Sequence, residues 1–199
     1  GDIQSLGEGF NIYSGNSGVP RFLNIMFKNV PDFWMDERVR QAIHYAIDRK
    51  SIVENVFKET YSVIPGIISV PGAWPDDVNW YEYDPDKAKE LLSEAGVQPS
   101  QIKMETIGYK NDPMTISAMQ AVQAYLKQIG IEFSYTAYDV PTYRSIANPG
   151  NFDFAYVGTS GLSYNIDPSF MFSNAGSLGG YFFGFDYDSI YSDTVKEVN

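Results

Sequence analysis

Apolar residues recur at Val39, Ala42, Ile43, Ala46 and Ile47, spaced i, i+3, i+4, i+7 and i+8. That is one stripe of a 3.6-residue period, and it predicts an amphipathic helix over residues 36–49. Asp36 precedes the stripe as an N-cap, and Glu37 adds negative charge where the helix dipole favours it. Ala42, Ile43, Ala46 and Ile47 are expected to be almost fully buried. Ile52, Val53, Val56 and Phe57 predict a second, short helix. Asp84-Pro85 opens a third, with Ala88, Leu91, Leu92 and Ala95 inward and Gly96 at its close. Asp112-Pro113 opens a fourth, with Met119, Val122, Leu126 and Ile129 inward and Gly130 at its end. Pro141–Ala147 and Asp186–Val198 predict two more.

Period-two alternation marks the strands. Ile102, Met104 and Thr106 form one, and Ile131, Phe133, Tyr135 and Ala137 another. Phe10–Tyr13 and Phe152–Val157 are shorter candidates. Arg21–Phe27 carries Leu23, Ile25 and Phe27 on one face and Phe22 and Met26 on the other, which predicts a strand buried on both sides. Residues 61–83 read as a long irregular loop rich in Pro, Gly and aromatics. Residues 158–181 read as another, with five Gly. Loops of that length are often functional. Strands alternating with helices predict an α/β lobe built on a mostly parallel or mixed sheet flanked by helices. No linker divides the chain, so residues 1–199 are expected to form a single lobe.

Composition narrows the function classes. The 199 residues carry a formal net charge of −11, which argues against binding nucleic acid or an anionic membrane surface. With no cysteine, thiolate metal sites, disulfides and a Cys nucleophile are excluded. No apolar run approaches a membrane span, and Gly1-Asp2-Ile3-Gln4 does not resemble the start of a signal peptide. The 15 Tyr suit clefts and interfaces, since each offers an apolar face with a polar tip.

Catalytic and metal chemistry find little support. The single histidine, His44, sits inside the first predicted helix and reads as structural. Asp76-Asp77, Asp84 with Asp86, and Asp186 with Asp188 lack the glycine and terminal Glu of a calcium loop. Asp84 is better explained as a cap. A carboxylate pair of the glycosidase kind has nothing to single it out. Gly179-Gly180 is a turn and not a phosphate loop. No enzyme activity, cofactor or metal is expected.

Six segments together resemble one family. Asp36-Glu37-Arg38-Val39-Arg40-Gln41-Ala42-Ile43-His44-Tyr45-Ala46-Ile47-Asp48-Arg49 resembles the signature of the bacterial extracellular solute-binding proteins of family 5, the oligopeptide-, dipeptide- and nickel-binding receptors of ABC importers. Leu23-Asn24 to Asn29, then Pro31, is similar to the strand that leads into it. Tyr83-Asp84-Pro85-Asp86-Lys87-Ala88-Lys89-Glu90-Leu91-Leu92-Ser93-Glu94-Ala95-Gly96 and the run Gln120–Ile131 resemble two later helices. Phe152-Asp153 and Asp167-Pro168 match its "FD" and "DP". The order is right throughout.

The resemblance implies the second lobe of a two-lobed periplasmic-binding-protein-like (type II) fold, with the first lobe absent from this chain. It implies a monomer outside the cytoplasm, periplasmic or extracellular and membrane-anchored, that captures an oligopeptide or dipeptide and delivers it to an ABC permease. An oligosaccharide or other small solute, or a sensor module on the same fold, are the alternatives. Ligand contacts are expected at Tyr109, Asn111, Val140, Thr159, Ser160, Leu162, Tyr164 and Tyr181. Peptide-binding members place an Asp after the "FD" strand to pair with the peptide α-amino group. Leu162 stands there in this chain, which implies weak selectivity for a free N-terminus.

Overall fold

The computed structural model describes residues 21–26, 29–58, 61–64, 81–110 and 113–158. Helix α1 spans Glu37–Ala46, and Asp36 caps it by accepting the Arg38 backbone N–H at 2.9 Å. The same carboxylate holds the Arg38 guanidinium, whose Nη1 donates to the Glu94 carbonyl at 2.9 Å. Arg38 therefore joins the start of α1 to the end of α3 (Pro85–Glu94), and the two helices pack side by side. Asp84 caps α3 through the Lys87 N–H, with Pro85 in the first turn, as the punctuation predicts. Gly96 (φ 70°) and Gly130 (φ 86°) end α3 and α4 in the left-handed region that favours glycine. α2 covers Arg49–Asn55 and α4 covers Pro113–Gln128.

Four strands form one sheet among the described residues: β1 (Arg21–Ile25), β2 (Lys103–Tyr109), β3 (Glu132–Tyr138) and β4 (Phe154–Gly158). Their order is β1-β4-β2-β3, with β1 antiparallel to β4 and the other neighbours parallel. The sheet is mixed, as expected. The first element after β3 is α5 (Val140–Ala147), one residue earlier than the Pro pattern suggests, because Asp139 takes the cap and Pro141 falls within the first turn. β4 begins at Phe154, two residues later than expected. Before it, the Asp153 carbonyl accepts the Met26 N–H, and the Asn29 side chain donates to the Gly150 and Phe152 carbonyls at 2.8 and 2.7 Å.

Each sheet face has its own core. Met104, Phe133 and Phe154 face α1, α3 and α4, where Val39, Ala42, Leu92, Val122 and Leu126 complete the larger cluster. Ala155 and Ile107 point the other way, against Tyr143 and Ala147 of α5. The β2–α4–β3 crossover puts α4 on one face. The return from β3 past β2 to β4 reverses direction and puts α5 on the other.

The predicted stripe of α1 is only partly correct. Val39, Ala42 and Ala46 are fully buried and Ile47 is 8% exposed, but Ile43 is half-buried at the rim of the core. The predicted strand Phe10–Tyr13, the final helix Asp186–Val198 and most of both long loops lie outside the described residues.

Candidate functional site

β2 and β3 are adjacent and parallel, yet the helix after β2 lies on one face and the helix after β3 on the other. Connections that leave in opposite directions open a crevice at the carboxyl ends of the strands, the usual binding place in open α/β sheets. Two of the expected contacts sit on that edge. Tyr109 is the last residue of β2 and Val140 the first of α5, and their exposures are 36% and 37%. Asn111, Thr159, Ser160, Leu162, Tyr164 and Tyr181 lie outside the described residues.

The edge is tightly built. The Lys110 N–H donates to the Tyr138 carbonyl at 2.8 Å, extending the β2–β3 ladder by one bond. The Tyr109 ring rests on Tyr143 with centroids 4.1 Å apart. On the opposite face the Tyr135 phenol lies across Gly108, and its hydroxyl donates to the Tyr109 carbonyl at 3.4 Å. A methyl group on Gly108 would overlap that phenol, so a larger residue here would displace the Tyr135 ring. Asp139 accepts the Thr142 N–H at 2.9 Å. That bond, the Thr142 hydroxyl and the Lys110 charge hold its carboxyl below the usual range.

A groove of about 250 Å³ between Asn55, Val56, Pro113, Met114 and Ser117 opens near the N-terminal end of α4. Met114 is 43% exposed there. Neither this groove nor the support by Gly108, Tyr135 and Tyr143 was legible in one-dimensional patterning, because each depends on which sheet face a residue occupies.

His44 lies elsewhere. Its imidazole stacks on Tyr81 at 4.9 Å, and Tyr83, two residues on, donates to Gln128 at the far end of α4. The cluster is therefore at the amino-end side of the parallel strands, away from Tyr109 and Val140. Loss of water on its stacked side, then the Arg49 charge, lower its pKa to about 4. Asp84 and Asp86 are occupied by the cap and by an ion pair with Lys89 at 3.3 Å. Among the described residues no three His, Asp or Glu side chains gather as metal ligands, and no helix is long and apolar enough to cross a membrane.

Comparison with known proteins follows the same line. A Brucella ovis protein named for peptide binding by an ABC transporter is 31% identical over 165 residues, covering 80% of this chain and 31% of that protein. The dipeptide-binding protein of Escherichia coli is 29% identical over 152 residues, covering 73% of this chain and 28% of its own length. The chain thus spans about a third of the curated relatives it matches. Among solved structures, NikZ from Campylobacter jejuni in complex with Ni(L-His) superposes with a TM-score of 0.70 at 25% identity, over 90% of this chain and 37% of that one. Residues 2–182 match the family described as "Bacterial extracellular solute-binding proteins, family 5 Middle", and this chain belongs to the family 5 solute-binding proteins.

Proposed function

We propose that the chain is one lobe of the substrate-binding component of an ABC importer. It supplies one wall of an inter-lobe cleft that captures a solute outside the cytoplasm and presents it to a membrane permease. The observation that carries this reading is the family match over residues 2–182, together with connections that leave the carboxyl ends of the adjacent parallel strands β2 and β3 toward opposite sheet faces. Tyr109 and Val140 form the described part of that wall. Asn111, Thr159, Ser160, Leu162, Tyr164 and Tyr181 are proposed to complete it.

The ligand class proposed is a short peptide, supported by relatives named for peptide and dipeptide binding. The family binds substrates, and we propose that the solute leaves chemically unchanged. Leu162 at the amino-anchor position goes with weak recognition of a free N-terminus.

Calorimetry on the full-length protein with one peptide in free and N-acetylated form tests this. Binding of both with similar affinity is expected. A loss of about tenfold or more on acetylation, roughly 1.4 kcal/mol, would reveal an anchoring carboxylate, with Asp139 and Asp167 the first to substitute. Failure to bind any peptide would remove the peptide reading.

A further inference from the structure

We infer that the Tyr109 ring is the floor of a side-chain subsite that selects an aromatic or large apolar group on the ligand, an inference that rests on the peptide-binding reading above. The sheet geometry explains why the ring is available. Tyr109 points to the α5 face, as does Ile107 two residues earlier. Ile107 is packed into the smaller core, whereas Tyr109 stands at the strand's last position and remains 36% exposed. Tyr143 touches the ring from α5 without burying it.

The ring is also held in place before any ligand arrives. Tyr143 supports it from α5, the Lys110–Tyr138 bond fixes the main chain just beyond it, and Tyr135 reaches its carbonyl across the bare Gly108. A pre-ordered aromatic surface loses little conformational entropy on binding, which is why such residues dominate binding energy in recognition sites.

The surroundings specify the chemistry. Val140, 37% exposed, adds apolar surface on the same edge. The carboxylate of Asp139 already accepts the Thr142 N–H as the cap of α5. Beside the charges of Lys110 and Asp139, the edge thus offers at Tyr109 a partly exposed ring, complementary to another ring or a large aliphatic side chain.

The experiment is calorimetry on the full-length protein with Ala-Ala-Ala and the three tripeptides that carry one Phe among Ala. The wild type is compared with Tyr109→Phe and Tyr109→Ala. At least one Phe peptide is expected to bind about tenfold tighter than Ala-Ala-Ala, an aromatic contact of order 1 kcal/mol. That ratio should persist in Tyr109→Phe and collapse to about one in Tyr109→Ala. No preference in the wild type, or a preference that survives Tyr109→Ala, overturns the subsite and leaves the peptide-binding function standing. If none of the four peptides binds, the peptide reading falls and the subsite with it.

Discussion

His44 shows how one residue's surroundings set its chemistry. As the only histidine in the chain, it could titrate near neutrality. Loss of hydration beside Tyr81, then the nearby Arg49 charge, instead lower its pKa to about 4 in the fold. The unfolded chain, with an ordinary histidine pKa of about 6.5, then binds more protons than the folded one between those values. Stability from this residue is therefore complete above about pH 6.5 and declines as pH falls toward about 4. A proton-detected NMR titration should find the His44 midpoint well below 6. A midpoint at or above 6.5 would show that the imidazole keeps its hydration in the fold.

At the scale of the element, α1 and α3 show where periodicity holds and where packing corrects it. Leu92 of α3 lies in the larger core with no exposed surface. Leu92→Ala is expected to cost about 2–5 kcal/mol, because the cavity cannot fully collapse. Ile43 belongs to the stripe by sequence but sits at its rim, half-buried. Ile43→Ala should cost only roughly 1 kcal/mol, since much of the deleted side chain is already in water. Urea unfolding of the two variants decides this, and equal losses would mean that the rim is as closed as the centre.

Asn29 binds distant parts of the molecule together. Its amide donates to the Gly150 and Phe152 carbonyls, more than 120 residues away in sequence, and so locks the end of β1 to the entry of β4. Asn29→Ala removes both bonds and should destabilise by about 1–2 kcal/mol, seen as a lower urea midpoint at unchanged slope. A change below about 0.3 kcal/mol would mean that water replaces the amide without loss. The Asn in the stretch preceding the signature helix thus has a structural reason: it closes the antiparallel side of the sheet, at the end opposite Tyr109 and Val140.

Periodicity, breakers and caps determined most of the helices and strands by themselves, because those are local effects: Asp36, Asp84-Pro85, Gly96 and Gly130 act within a turn of where they stand. The family was legible too, since its helices carry ordered motifs. Packing decided the rest. That Ile43 lies at a rim, that Tyr135 lies across Gly108, and that Tyr109 remains exposed on a Tyr143 support all follow from strand order and sheet face. Neither is encoded locally: the order β1-β4-β2-β3 places β4 beside β2 across an intervening helix, strand and helix. Only that non-local pairing sends α4 and α5 to opposite faces and makes the carboxyl ends of β2 and β3 a topological switch point.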